Sequence, residues 1–83
     1  MSQIARSARQ LGNLIQRTRK QRGLTQTELA HLAGMRQEMV SKIETGHEGT
    51  KLSSVFALFA ALDLELLVDT RSERATQNIE DIF

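Results

Sequence analysis

The sequence predicts a mostly α fold of four to five short helices, closed by one short strand. Three observations carry that expectation. The 83-residue chain has no proline, the residue that most strongly breaks helix interiors. Apolar residues recur at three- and four-residue spacing in successive short blocks, the period of helices that bury one face. Helix-start patterns alternate with glycines, with Ser7-x-x-Gln10 and Thr25-x-x-Glu28 at starts and Gly23, Gly34 and Gly46 at ends.

Each element follows in order. Ser7 to Gln10 reads as a capping box that opens a first helix. Leu11, Leu14, Ile15 and Thr18 then share its core face, while Arg17, Lys20, Gln21 and Arg22 lie largely outside that stripe. Thr25 and Glu28 form a second box, and a helix follows from Gln26 to about Ala33 with Leu29, Leu32 and Ala33 inward. Ala30 is small, as close helix–helix approach requires. Gly34 supplies a turn that needs positive φ. A third helix runs from Arg36 or Gln37 to Thr45, with Val40 and Ile43 inward and Met39 at the margin. Residues 47–51 form a polar loop. A fourth helix covers about residues 53–62, where Val55, Phe56, Leu58, Phe59 and Leu62 are apolar over a wider arc than one core face needs. Leu64-Glu65-Leu66-Leu67-Val68 is too short for a helix and rich in strand formers. A lone strand leaves backbone groups unpaired, so its expected partner is the same strand of a second copy, with Leu64, Leu66 and Val68 in or near the contact. Residues 7–69 are thus read as one domain and residues 70–83 as a polar tail.

Composition narrows the function. With no cysteine, disulfides and thiolate metal sites are excluded. His31 and His47 are too few and too far apart for a metal site, and no positioned His serves a Ser or a carboxylate. No enzyme activity and no cofactor are expected. No apolar run reaches membrane-spanning length and no signal-peptide pattern stands near Met1, so a cytoplasmic location is expected. The net charge of +1 conceals an asymmetry. Residues 1–62 carry nine Lys/Arg against four Asp/Glu, a balance of +5, whereas residues 63–83 carry two against six, a balance of −4. A basic body suits phosphate contact; the same charges also serve simply to keep a small domain in solution. Phe56 and Phe59 read as core, and there is no Tyr or Trp, which leaves no platform for stacking single-stranded bases.

The stretch from Gly23 to Gly46 places two short helices on either side of a turn at Gly34, the second with a polar outer face. That is the pattern of a helix-turn-helix, which places its second helix in the DNA major groove. On Leu24-Thr25-Gln26-x-Glu28-Leu29-Ala30, Gly34 and Val40-Ser41-Lys42-Ile43-Glu44-x-Gly46, the chain resembles the Cro/C1-type (XRE) helix-turn-helix family over about residues 11–62. The resemblance implies a lambda-repressor-like bundle that binds DNA as a repressor. Within the family the layout is most like HipB-type antitoxins. These are homodimers paired through a strand after the last helix, which repress their own operon and bind a HipA-type kinase toxin. The resemblance therefore implies a palindromic double-stranded operator, a second copy and such a toxin as partners. A stand-alone phage-type repressor is the alternative within the class, and a protein-interaction module on the same scaffold is the alternative outside it. The polar face of the third helix favours DNA, since an interaction module would expose apolar residues there.

The resemblance also assigns roles. Gln37 falls at the family's main base-reading position, and its amide suits adenine N6 and N7. Arg36 stands where the family often has a Ser or Thr cap; it cannot accept a backbone hydrogen bond, which weakens the cap by up to ~1 kcal/mol. Its guanidinium suits guanine O6 and N7, or a phosphate. Glu38 either accepts from cytosine N4 or repels phosphate and enforces register. Ser41 and Lys42, one turn on, suit phosphate or outer-base contacts. Gln26 opens the second helix, where its side chain and the helix amides suit a phosphate. Arg17, Lys20, Arg22 and Lys51 form an electrostatic rim, each equally at home as a solvated charge. Family members often pair the equivalents of Arg19 and Glu44. Finally, Ile79, Ile82 and Phe83 are spaced for one amphipathic turn, so the tail is either plain disordered chain or a hook for a partner.

Overall fold

The computed structural model describes residues 3–70. They form four helices: α1 (Ala8–Gln21), α2 (Gln26–Ala33), α3 (Gln37–Glu44) and α4 (Leu52–Ala61). α2 packs against both α3 and α4, and α1 packs against α3. Ile15, Leu29, Val40, Leu58 and Leu62 are fully enclosed at the centre, each contributing about 1.5–3 kcal/mol by leaving water. The upper expectation of a fifth helix is not met among these residues.

Local chemistry sets the helix starts. Thr25 Oγ1 accepts from the Glu28 amide at 3.0 Å, and Glu28 Oε1 accepts from the Thr25 amide at 2.8 Å, so the box at α2 is complete. At α1 the box is offset. Ser7 Oγ accepts from the Gln10 amide at 3.1 Å, but Gln10 Oε1 reaches past Ser7 to the Arg6 amide at 2.6 Å. Arg36 and Lys51 cap α3 and α4 without any side-chain hydrogen bond.

All four helices end alike. The amides of Leu24, Met35, His47 and Leu64 turn back to the carbonyls of Arg19, Ala30, Lys42 and Phe59, at 2.8 to 3.1 Å. This closure needs a left-handed residue just before the donor. Gly23, Gly34 and Gly46 supply it after the first three helices, and Asp63, with φ of 59°, supplies it after the fourth. Aspartate tolerates this region better than most residues but at a cost that glycine avoids. Another glycine acts by its size. Gly12 lies inside α1, where a Cβ would come within 2.4 Å of the Ile43 carbonyl oxygen and 2.6 Å of that of Glu44. Its single hydrogen lets α1 lie directly on the last turn of α3.

Four expectations require correction. Leu32 is 59% exposed. The buried stripe of α2 is Leu29, Ala30 and the half-buried Ala33, and at 100° per residue Leu32 lies on its flank. Phe56 is likewise half exposed, because Val55, Leu58, Phe59 and Leu62 already fill the core side of α4. That helix begins and ends one residue earlier than expected. Residues 64–68 form no strand in the single chain: a strand exists through its ladder, and the partner expected for it belongs to another copy. Leu66, Leu67 and Val68 stand exposed. The expected tail, apart from Thr70, lies outside the described residues.

Candidate nucleic-acid interface

The site begins with a buried charge pair. Arg19, near the end of α1, donates from Nε to Glu44 Oε2 at 2.6 Å and from Nη2 to Glu44 Oε1 at 3.2 Å. Its Nη1 donates to the Leu24 carbonyl at 2.9 Å. Both residues are buried. One guanidinium thus joins α1, the loop before α2 and the last turn of α3. Desolvation offsets much of the attraction in such pairs, and what the pair secures is geometry: α3 is held in place by its C-terminal end.

From Glu44 the hydrogen bonds run outward. Gln26 Nε2 donates to Glu44 Oε1 at 2.9 Å, and Gln37 Nε2 donates to Gln26 Oε1 at 2.7 Å. The first residue of α2 therefore bridges the last and first residues of α3. Gln26 is half buried, and Gln37 is exposed.

Around Gln37 lies a polar edge. On α3, Val40, Ile43 and Glu44 face inward, which turns Gln37, Glu38 and Lys42 to solvent with Ser41 half buried beside them. Gln37 with Ser41, and Glu38 with Lys42, stand one turn apart and so are neighbours on that face. Arg36 precedes them, exposed, at the helix start. The edge carries donors and acceptors of both kinds and little apolar surface, the inventory that base edges and phosphates require.

The other expected residues are spread more widely. Lys51 is exposed at the start of α4, and Lys20 and Arg22 are exposed at the end of α1. Arg17 is exposed, and its Nη2 donates to Gln3 Oε1 at 2.6 Å, which ties the N-terminal segment to α1. Among the described residues, no helix is long and apolar enough to cross a membrane.

Two features were missed in the sequence. A glycine inside an otherwise regular helix, as at position 12, is itself a sign of close approach, and it went unused. The Gln26–Glu44 contact had no signal, since neither residue type demands the other.

Comparison with known proteins places these features in context. A family model described as helix-turn-helix matches residues 15–68. The antitoxin HipB of Escherichia coli is 30% identical over 74 residues, covering 89% of this chain and 84% of the relative. HipB from a second Escherichia coli strain is 35% identical over 60 residues, covering 72% of this chain and 64% of that relative. Among solved structures, a HipB variant in an O2 20mer complex superposes with a TM-score of 0.80 at 31% identity, over 86% of this chain and 99% of that one. A chain of a solved HipA–HipB–O2–O3 complex gives 0.79 at 31%, over 84% of this chain and 99% of that one.

Proposed function

Because the chain belongs to the helix-turn-helix family, we propose that it is a cytoplasmic, dimeric, sequence-specific DNA-binding repressor, the antitoxin and autorepressor of a HipA-type kinase toxin operon. The observation that carries the reading is the polar edge of α3, presented to solvent by a helix clamped from behind through Glu44 and braced in front through Gln26. In this reading α3 enters the major groove and Gln37 takes an adenine edge. Arg36 takes guanine or a phosphate, and Glu38 takes cytosine N4 or sets register. Ser41 and Lys42 contact outer bases or phosphates. The second N–H of Gln26, with the amides that open α2, holds a phosphate, and Lys51 and Arg17 add charge at the rim.

Dimerisation uses a different surface, lined by none of these residues. Leu64 and Leu66 line a groove of about 970 Å³ with Ile4, Leu11, Leu14 and Phe59, and Val68 beyond them is 92% exposed. A second copy covers this surface and supplies the missing strand partner. The toxin follows from similarity to a chain solved in a HipA–HipB complex.

The test is binding of the full chain to DNA upstream of its own gene, against shuffled DNA of equal length, over a range of salt. Affinity for the upstream DNA should be higher and should fall with salt, as phosphate neutralisation requires. Equal affinity for both would overturn the DNA reading. Failure to co-purify with a HipA-type kinase encoded alongside it would overturn the antitoxin reading alone.

A further inference from the structure

Glu44 is an unusual residue to find at the inner end of a path that reaches the DNA-facing edge. It is 3% exposed and ends α3, one full helix length from Gln37. Yet the two are joined through a single intermediary, Gln26.

The chemistry of that path has a direction. An ionised carboxylate only accepts hydrogen bonds, whereas a primary amide donates from one end and accepts at the other. Arg19, with donors only, faces both Glu44 oxygens and holds the carboxylate in one orientation. Gln26 must therefore turn its Nε2 toward Glu44, which leaves its Oε1 facing Gln37. Gln37 must then donate with its own Nε2. Each amide is oriented by the one behind it, and the ultimate cause is the buried carboxylate. The consequence at the surface is a defined order: the Gln37 nitrogen lies on the Gln26 side with one N–H free, and its oxygen lies on the far side with both lone pairs free.

We propose that Glu44 is a specificity-positioning residue, which acts through Gln26 to fix the order in which Gln37 presents donor and acceptor to a base edge. This rests on the reading of α3 as the DNA-recognition helix. Adenine offers N7 as acceptor and N6 as donor in a fixed order along the groove, so an amide already turned the right way matches it, and one turned the other way opposes it. Glu44 touches no DNA; its effect is on which base pair Gln37 prefers.

Glu44→Gln makes a sharp case. Its single oxygen stays on the Arg19 Nε contact, the shorter of the two Arg19 bonds, and its NH2 group falls on the Oε1 side, where both Arg19 Nη2 and Gln26 Nε2 had bonded. Both of those donors then face a donor; the guanidinium has no acceptor to offer, so it is Gln26 that turns over, and the order at Gln37 reverses.

The experiment measures preference among the four base pairs at the position read by Gln37, using the full chain and competing operator duplexes. That position is defined as the one whose preference disappears in Gln37→Ala. Glu44→Gln and Gln26→Leu should each lower the preference ratio by about two- to tenfold, the range that re-ordering one free side chain commands. Neither should change it further in a Gln37→Ala background. A merely structural role would weaken all four duplexes equally and leave the ratio intact, and that result overturns the proposal. Gln26→Leu severs the same path while leaving the Arg19–Glu44 pair in place, so an unchanged ratio there overturns the proposal whether or not Glu44→Gln folds. Wild-type protein with no preference for any duplex would instead refute DNA reading by α3, and the inference with it.

Discussion

Arg19 and Glu44, 25 residues apart in the chain, meet as a two-bond ion pair beneath the surface, with Nε and Oε2 separated by 2.6 Å. Removing one member strands the other as a buried charge. Arg19→Ala and Glu44→Ala should each destabilise the fold by about 3–5 kcal/mol. Replacing both together, as Arg19→Met with Glu44→Leu, should cost less than either single change, since no unpaired charge remains. Urea unfolding of the three variants checks this, and a double variant less stable than both singles would contradict it.

At Gly12 two effects of opposite sign compete. Alanine in a helix interior is favoured over glycine by up to ~1 kcal/mol. The new methyl would overlap the carbonyl oxygens of Ile43 and Glu44, and such overpacking costs about 1–3 kcal/mol. The second effect involves backbone, which has little room to yield, so Gly12→Ala should lower the midpoint of thermal unfolding. A higher midpoint would mean that α1 and α3 lie further apart than described.

The left-handed Asp63 invites the opposite experiment. Asp63→Gly removes the Cβ conflict at a positive φ of 59° and keeps the Leu64-to-Phe59 closure. Stability should rise by about 0.5–1 kcal/mol, read as a higher urea midpoint at unchanged slope. A fall would show that the Asp63 side chain makes a contribution of its own.

For DNA binding, Gln37→Ala should cost about 1–3 kcal/mol at the operator and relax preference at one position. Lys51→Ala, at the rim, should weaken all sequences alike and reduce the salt slope by about one. Competition assays at two salt concentrations separate the two patterns. Unchanged affinity and preference in Gln37→Ala would remove α3 from the role of reader.

The exposed residues 64–68 lead to a prediction about assembly. Leu66→Asp places a charge in the apolar groove formed with α1 and the N-terminal segment, and should convert dimers to monomers by sedimentation. The wild-type operator should be an imperfect palindrome with half-sites about 34 Å apart. Wild-type monomers at tens of micromolar, roughly the range where weak dimers form, would refute the dimer.

What was legible in the sequence was chiefly what is local. The caps at Ser7 and Thr25 and the glycine ends at Gly23, Gly34 and Gly46 each depend on residues within one turn, and each is found. The apolar stripes of α1 and α3 were equally plain. Leu32 and Phe56 were misplaced because residue type says that a side chain favours burial, not whether a core this small has room for it. The Arg19–Glu44 pair came from family resemblance, and no spacing rule would have joined residues 25 apart. Glu44, Gln26 and Gln37 meet only because α2 and α3 cross as they do, so their contacts belong to the tertiary fold. The run at 64–68 is a different case, since its expected partner lies in another molecule.

The path from Glu44 through Gln26 to Gln37 draws on two helices and, through Arg19, a third. Grafting experiments commonly treat a recognition helix as a cartridge, to be exchanged on an inert frame. Here the cartridge is larger than α3. Moved alone into a scaffold lacking the counterparts of Arg19 and Gln26, it would carry its alphabet but not its grammar: the same side chains would arrive without the partners that orient them. On the proposed reading of α3, new operator preferences are best sought by varying position 26 together with position 37.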